Sequence, residues 1–297
     1  MRETERGFLL LTSPLGDPLR KPLTVAQFRQ LAARARDMEM PMEDRDLTHE
    51  DLLKLGYDRD WAYRILHLLS QEDLLEHYLR RCKKAGCSAI SRIGEEYPAV
   101  LRKKLDPDSP ATLWTMGDLS LLSKPAVALV GSRDIGPENR SFAWEVGTQA
   151  ARQGYVLVSG NARGADRIAQ TACLRAGGEV IIVVADELEK HTQAENCLYI
   201  SEDGFDLPFS AQRALSRNRV IHALAEKTFV AQGTYGTGGT WDGTVKNLTN
   251  RWSPVFCFAD GAEGTQQLIQ MGAQPVAMAH LADFTQLQGV QISLFDR

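Results

Sequence analysis

Short, mostly apolar runs alternate with amphipathic stretches from about residue 110 onward. The runs have the length of strands and predict them at residues 126–130, 155–159, 179–185, 228–231 and 254–258. The stretches between them predict helices at about 139–153, 165–176, 211–226, 240–250 and 264–271. Apolar strands that alternate with helices indicate a parallel sheet covered on both faces. The expected fold class is therefore α/β, with a doubly wound, Rossmann-like and mainly parallel sheet.

The first 95 residues follow a helical pattern throughout and predict a small all-helical domain. Thr24 is placed to cap a helix over 25–36, and Thr48 followed by Asp51 approximates a capping box for a helix that ends at Gly56. Further helices are expected at 60–69 and 71–85. A bundle of this kind either binds DNA or a partner protein, or serves packing and dimerisation, and the sequence leaves both open.

The pattern changes around Tyr97-Pro98, where a proline-punctuated linker precedes a short strand at 111–116. This change places the domain boundary between residues 95 and 110. The expected organisation is given by three ranges: a helical domain at 1–95, a Rossmann-like domain at 96–280 and a flexible polar tail at 281–297.

The net charge of −4 argues against bulk attraction to polyanions. Residues 1–104 contain 19 basic and 17 acidic residues, whereas the remainder contains 15 basic and 21 acidic ones. Several arginines of that acidic remainder fall in predicted turns, where a guanidinium can bind a phosphate in bidentate fashion. A local anion site is therefore compatible with an acidic domain.

Five scattered cysteines form no C-x-x-C pair and have no nearby histidine pattern. We therefore expect neither a disulfide framework nor a metal site. No segment approaches the roughly 18 apolar residues that span a bilayer, and the N-terminus does not resemble a signal peptide. These features predict a soluble, cytoplasmic protein without membrane contact.

Glycine-containing turns follow three of the predicted strands, and in a doubly wound sheet such turns share one edge. Glycine lets the backbone approach a phosphate, the free amides of the next helix donate to it, and arginine neutralises it. Each turn alone is ordinary turn chemistry, but together they predict an anion or a nucleotide-like ligand. The candidate residues are Gly131, Ser132, Arg133, Ser159, Gly160, Arg163, Gly164, Gly238, Gly239 and Thr240.

None of these turns matches the fingerprint of a dinucleotide site or of a nucleoside-triphosphate loop. NAD and ATP are therefore disfavoured as ligands, and no cofactor is expected.

A cluster of arginines lies within one predicted helix. Arg213 and Arg217 share a face of that helix, whereas Arg219 points elsewhere and Asn218 lies between them. The cluster is either a set of salt bridges or, beside a glycine-lined strand edge, a phosphate clamp. His222 follows one turn after Asn218, and core packing is its simpler interpretation. Because no catalytic triad or nucleophile elbow is present, no catalytic residue is assigned.

Taken together, these motifs resemble the DprA/Smf family of DNA-processing proteins from about residue 95 to residue 258. The motifs that carry the resemblance are Tyr97-Pro98, Gly117-Asp118, Val130-Gly131-Ser132-Arg133, Ser159-Gly160, Ala162-Arg163-Gly164-Ala165-Asp166, Gly177-Gly178, Ser201-Glu202 and Arg217-Asn218-Arg219-Val220-Ile221. The resemblance implies a modified Rossmann domain that binds single-stranded DNA without catalysis. It also implies homodimers and the loading of a strand-exchange recombinase.

Carried over residue by residue, the resemblance implies a basic pocket that follows backbone phosphates. Its members would be Arg133, Arg163, Arg217 and Arg219, with Gly131, Ser132, Gly160, Gly164 and Asn218 shaping it.

Three departures from the family pattern leave other functions open. Gln170 stands where the family has a histidine, and the winged helix of many members is not expected after the Rossmann-like domain. The glycine-rich segment 233–240 resembles the loop of related nucleotide-sensing and nucleotide-cleaving domains, but Trp241 and Asp242 replace the glutamate of the hydrolases. The alternatives are therefore a nucleotide-sensing domain, or an antitoxin that regulates a defence toxin of the phosphoribosyltransferase type.

The end of the sequence resembles the short peptide by which bacterial replication and repair proteins dock on the sliding clamp. Its candidate residues are Gln291, Ile292, Leu294 and Phe295. An extended tail can insert such side chains into adjacent pockets. The expected function is single-stranded DNA binding, with recruitment to the sliding clamp through this tail.

Overall fold

A computed structural model describes residues 2–37 and 46–289. Within these residues the strands form one sheet, in the order β1-β2-β6-β5-β4-β3-β7-β8-β9. The strands are Ser88–Ser91 (β1), Thr112–Gly117 (β2), Ala126–Val130 (β3), Val156–Ser159 (β4), Val180–Val183 (β5), Cys197–Ser201 (β6), Lys227–Val230 (β7), Val255–Phe258 (β8) and Gln274–Val276 (β9). Strands β3 to β9 pair in parallel, while β1 and β2 form an antiparallel edge beside β6.

The helices of the N-terminal part precede the sheet, and the later helices connect its strands. They are Glu3–Thr12 (α1), Val25–Asp37 (α2), His49–Lys54 (α3), Arg59–Leu69 (α4), Glu72–Lys84 (α5), Ala99–Leu105 (α6), Pro137–Arg152 (α7), Ala165–Arg175 (α8), Ala211–Ser216 (α9), Asn218–Leu224 (α10), Gly238–Asn250 (α11) and Glu263–Gln270 (α12). In the described ranges 2–37 and 46–289, none of the helices has the length and apolar content needed to cross a membrane.

Strand β3 divides the core into two layers. Val127 and Leu129 belong to the layer on one face of the sheet, and Ala126, Ala128 and Val130 belong to the layer on the other. Successive side chains of a strand point to opposite faces, so an uncharged run of this kind is buried on both sides. The predicted α/β doubly wound fold is therefore confirmed, and β3 begins and ends at the predicted residues.

The N-terminal helices are joined to the sheet more closely than the predicted boundary implies. Leu9 and Leu10 of α1 lie in the same core layer as Val127 of the sheet, whereas Leu11 belongs to a smaller core that includes residues of α2, α3 and α4. In addition, β1 falls inside the part predicted to be all-helical and pairs with β2. Helices do lead the chain, but the sheet starts at Ser88, before the predicted boundary region.

The C-terminal end of the described chain is packed rather than free. Leu281 and Phe284 are buried in the sheet's core layer, and the backbone N–H of Phe284 donates to Gln153 Oε1 at 2.7 Å. Residues 281–284 therefore differ from the flexible tail expected there.

The helix predicted over residues 211–226 is divided at Arg217 into α9 and α10. The Ser216 carbonyl oxygen accepts a 2.8 Å hydrogen bond from Arg219 Nη1, and the Val220 N–H donates instead to the Arg217 carbonyl at 2.9 Å. A side chain that inserts into the helical ladder is a common cause of such an interruption.

Candidate functional site

The loops that follow β3, β4 and β7 meet the junction of α9 and α10 at the carboxyl edge of the sheet. They surround an open cavity of about 500 Å³, called the first cavity below. Its wall includes Ser132, Arg133, Asp166, Arg217, Gly239 and Thr240. This edge is where open α/β sheets bind their ligands. The structure therefore brings together residues of all three glycine turns and of the arginine cluster, with Asp166 as the member from the turn after β4.

The turns after β3 and β4 interlock through two glycines. A Cβ atom on Gly131 would lie 2.5 Å from the Ala165 Cβ, and one on Gly164 would overlap the Arg133 carbonyl oxygen. Gly164 also has a φ of +89°, which side-chain-bearing residues rarely adopt. Both glycines are thus required by close approach, and they fix the position of Arg133 at the cavity wall.

Gln232, which sequence reasoning did not select, ties the loop after β7 to the loop after β3. Its carbonyl oxygen accepts hydrogen bonds from the Ser132 backbone N–H at 3.0 Å and from the Ser132 hydroxyl at 3.2 Å. Its side-chain Oε1 accepts from the Gly136 N–H at 3.2 Å. Ser132 is therefore engaged in loop structure. A single glutamine after a strand carries no sequence signal that would reveal this role.

Arg217 is the central group of the site. Its side chain is buried, with 8% exposure for the residue, and Nη1 donates to the Val183 carbonyl oxygen at 2.6 Å. The guanidinium lies against Gly160, where a Cβ atom would overlap it. Within the described residues its Nε finds no hydrogen-bond partner. Burial lowers the pKa of Arg217, and Asp166 opposes that effect.

Asp166 supplies negative charge beside this guanidinium at the start of α8. Its Oδ2 accepts a 3.2 Å hydrogen bond from the Ala162 N–H. Burial raises the pKa of Asp166 to about 6, although the charge of Arg217 acts in the opposite direction. Burial dominates because the carboxylate loses its hydration there. Asp166 is therefore mostly ionised near pH 7 and loses its charge as the pH falls below about 6.

Ser159 and Gly160 form the back of the site rather than its wall. Gln170 donates from Nε2 to Ser159 Oγ at 2.6 Å and also to the Gly160 carbonyl oxygen. The Ser159 hydroxyl in turn donates to the Gly160 carbonyl at 3.2 Å. This network holds the strand end against Arg217.

The exposed Arg133 lies in the wall of the first cavity, and the exposed Arg163 lies beside the wall residue Asp134. Arg133 makes no hydrogen bond or short ion pair with any residue in the described part of the chain. Arg163 pairs with Asp134 at 3.0 Å, and both side chains are well exposed, at 74% and 88%. An exposed pair of this kind contributes little to stability and separates easily. Both guanidinium groups are thus accessible to an anion.

The N-terminus of α11 forms the opposite side of the cavity. Its N-cap residue, Thr237, makes no side-chain capping bond, and Gly238 begins the helix with a φ of +86°. Asn218 Nδ2 donates to the Gly239 carbonyl oxygen at 3.0 Å and so joins this turn to the arginine cluster. Uncapped amides at a helix start attract negative charge.

Arg213 and Arg219 do not line the first cavity. Arg213 donates to Ser201 Oγ at 3.0 Å and to Asp203 Oδ2 at 3.1 Å. Arg219 pairs with Glu202 at 2.7 Å and donates from Nε to the Asp108 carbonyl at 2.9 Å. The structure therefore gives both arginines bonds that organise loops, which corresponds to the salt-bridge alternative.

His222 is buried in the wall of the first cavity, with 1% exposure. Its Nδ1 lies 3.3 Å from Thr228 Oγ1 and 3.2 Å from Asn247 Nδ2. Burial lowers its pKa to about 3, so the ring is neutral at physiological pH. This agrees with the core-packing interpretation of His222.

Two apolar residues of the cavity wall, Phe209 and Leu215, were not expected from the sequence. Their exposed fractions are 57% and 41%. Hydrophobic periodicity identifies buried faces, so an aromatic residue left exposed in a loop gives no such signal.

In the described ranges, no group of three or more His, Cys, Asp or Glu side chains is arranged to hold a metal ion. The four candidate clamp-binding residues, Gln291, Ile292, Leu294 and Phe295, lie outside the described residues.

The fold and the cavity define a doubly wound protein with a basic site at the carboxyl edge of its sheet. Residues 88–286 match the family model described as DNA recombination-mediator protein A, and the chain therefore belongs to that family. It is 28% identical over 218 residues to the DNA processing protein DprA of Bacillus subtilis, an alignment that covers 68% of this chain and 72% of that protein. It is 31% identical over 201 residues to DprA of Streptococcus pneumoniae, which covers 60% and 68%.

Solved structures of the same family share the fold. The structure of Streptococcus pneumoniae DprA superposes with a TM-score of 0.72 at 24% identity and covers 93% of this chain and 95% of that one. A Helicobacter pylori DprA structure, described for its single-stranded DNA binding mode, gives a TM-score of 0.57 at 24% identity and covers 67% and 95%. These likenesses confirm the Rossmann-like fold predicted from the sequence, and the family model confirms the predicted family.

Proposed function

We propose that this chain binds single-stranded DNA at the first cavity, without catalytic turnover. The observation that carries the proposal is Arg217, which lines an open cavity and whose buried Nε is unpartnered within the described chain. A buried donor without a partner is costly, and a phosphate oxygen is a suitable acceptor for it. Membership of the DNA recombination-mediator family supports DNA as the source of that phosphate.

The groups around Arg217 favour a DNA strand over an isolated anion as the ligand. Arg133 provides exposed positive charge in the cavity wall, Arg163 adds charge beside it, and the α11 N-terminus provides backbone donors. Phe209 presents an exposed aromatic ring on the same wall. Proteins that bind single strands combine a basic groove with aromatic surfaces on which bases stack.

A direct test is the affinity for fluorescent single-stranded and double-stranded oligonucleotides, measured by anisotropy between about 50 and 200 mM salt. We expect the single strand to bind more tightly. Arg133→Gln should weaken binding several-fold and lower the slope of log affinity against log salt by about 0.7, the value for one phosphate contact on a single strand.

Arg152→Gln is the matched control, because Arg152 is also exposed but ends α7 at the opposite edge of the sheet. Equal losses of affinity in Arg133→Gln and Arg152→Gln would contradict the proposed binding site. Equal affinity of the wild type for single-stranded and double-stranded DNA would contradict it as well. Saturable binding of a mononucleotide, with no added affinity for a strand, would instead favour the nucleotide-sensing alternative suggested by the glycine-rich start of α11.

We also propose that the peptide around Gln291 and Phe295 recruits the protein to the sliding clamp, on the basis of its sequence. Deletion of residues 291–297 should abolish binding to purified clamp and leave DNA affinity unchanged. Retained clamp binding would refute the assignment. Recombinase loading, the toxin-partner role, the homodimer and the cytoplasmic location stay predictions.

A further inference from the structure

A second cleft, of about 770 Å³, lies on the other side of the arginine cluster. It is lined by the loop between α1 and α2, by the segment from Lys104 to Thr112, and by residues of α11. Leu215 and Asn218 line both this second cleft and the first cavity. The two spaces are therefore neighbours, separated by the turn that contains Asn218.

The second cleft is lined by Thr112, whose hydroxyl group has no partner in the described chain. Thr112 is 2% exposed, and its hydroxyl has no hydrogen-bond partner among residues 2–37 and 46–289. A buried hydroxyl without a partner is destabilising, so the Thr112 hydroxyl beside the cleft is a candidate hydrogen-bond donor to a ligand.

Two lysines face the same cleft. Lys104 is half-buried, and its Nζ donates to the Ala225 carbonyl oxygen at 2.7 Å. Burial lowers the pKa of Lys104 to about 8, an effect that a nearby phosphate would oppose. Lys246 of α11 is 55% exposed and pairs with Asp242 at 2.8 Å, one helical turn away. Such an exposed pair is weak, so Lys246 can turn to a phosphate at little cost.

The acidic residues of the second cleft are mostly neutralised. Glu202 pairs with Arg219 at 2.7 Å, and Asp203 pairs with Arg213 at 3.1 Å. Asp108 is exposed at the entrance. The half-buried indole of Trp252 supplies an aromatic surface within the cleft. Two lysine ammonium groups, a hydroxyl without a partner in the described chain and an aromatic ring are groups that can recognise a nucleotide of a single strand.

We propose that the second cleft is a further subsite for the same DNA strand, which passes from the first cavity over Asn218 into it. A phosphate lies at Lys104 and Lys246, and a base lies against Trp252 with the Thr112 hydroxyl within its reach. This inference rests on the proposed single-strand binding at the first cavity, and it extends the footprint of the strand to the boundary with the N-terminal helices.

The test is a length series of oligothymidylates, from the dinucleotide to about 16 nucleotides, the upper range of site sizes for single-strand binders. Lys246→Gln should match the wild type for the dinucleotide and lose affinity for longer strands. The salt slope for those longer strands should fall by about 0.7. Lys124→Gln is the control, because Lys124 also pairs with a carboxylate, Glu179, but lies at the amino edge of the parallel strands.

Thr112→Val is a second variant, which keeps the shape of a strand residue and removes only the hydroxyl. It should bind the dinucleotide normally and longer strands about 3-fold to 10-fold more weakly. Two results together would overturn the second subsite alone. Lys246→Gln would lose no more affinity than Lys124→Gln at any length, and Thr112→Val would bind every strand as the wild type does. Failure of the wild type to bind any member of the series overturns the proposed function, and the subsite with it.

Discussion

Gly160 gives the sharpest test of how the site is built. The substitution Gly160→Ala places a methyl group inside the space of the Arg217 guanidinium. A flexible side chain on the surface would move aside. Arg217 is instead buried, and its Nη1 is bound to the Val183 carbonyl oxygen at 2.6 Å, so the guanidinium moves aside at the cost of that bond.

The expected loss of stability follows from the interactions that the Arg217 guanidinium loses. A hydrogen bond from a charged donor contributes about 1.5–3 kcal/mol. Displacement also weakens its attraction to buried Asp166, and disrupting a buried charge pair costs up to about 3–5 kcal/mol. Because the side chain recovers some hydration as it moves, we expect Gly160→Ala to lower the free energy of unfolding by about 2–4 kcal/mol.

Urea unfolding followed by circular dichroism measures this change. Gly239→Ala is the control at the same site, since its Cβ atom would lie 3.5 Å from Asn218 Nδ2, an ordinary contact distance. Alanine in a helix is favoured over glycine, so this variant should be unchanged or more stable by up to about 1 kcal/mol. Wild-type stability in Gly160→Ala would show that Arg217 moves freely and would refute the described packing.

Other variants test the buried polar groups. Asp166 has a pKa of about 6 in the folded chain and about 4 when unfolded, so it reduces stability as pH rises through that window. Asp166→Asn should remove this loss of stability between about pH 4 and pH 6. The same dependence of stability on pH in the variant and the wild type would contradict a raised pKa of Asp166. His222 has a folded pKa of about 3, so stability falls as pH drops below about 6.5. His222→Gln should flatten that decline in urea titrations at several pH values; a decline as steep as in the wild type would contradict burial of a neutral ring. Arg20 is buried and donates to the Leu10 and Leu68 carbonyls at 2.6 and 3.1 Å. Arg20→Met should lower the free energy of unfolding by about 2–4 kcal/mol, and the melting temperature with it. A decrease of less than about 1 kcal/mol would contradict a stabilising role of these hydrogen bonds.

The parallel part of the sheet was largely predictable because its strands are buried on both faces. An uncharged run such as 126–130 has few alternatives in a chain where helices follow. Strand β6 was not predicted, since its five residues are preceded by a polar loop that includes Asn196 at a φ of +59°. Strand β1 was missed because Ile90 is its only large apolar residue, which is too little for a periodic signal.

The glycine turns were predictable as a group, whereas the partners of the arginines were not. Topology dictates that turns after parallel strands share one edge, and the structure brings them there. The role of Arg219 depends on an acceptor distant in sequence, the Asp108 carbonyl 111 positions away, and Arg213 bonds outside its own helix to Ser201 and Asp203. Sequence spacing on one helix carries no information about such contacts.

The positions of α1 and Phe284 have a consequence for how the chain is made. Leu9 and Leu10 enter the same core layer as Phe284, whose ring centroid lies 4.8 Å from that of Phe229 in β7. That layer cannot close until residue 284 has left the ribosome, although its first helix is made at the outset. Domains usually fold as units during synthesis, and contacts between distant residues form late. Leu9 and Leu10 of α1 therefore complete their packing only after the far end of the chain is made, whereas the smaller core of α2, α3 and α4 does not depend on that end.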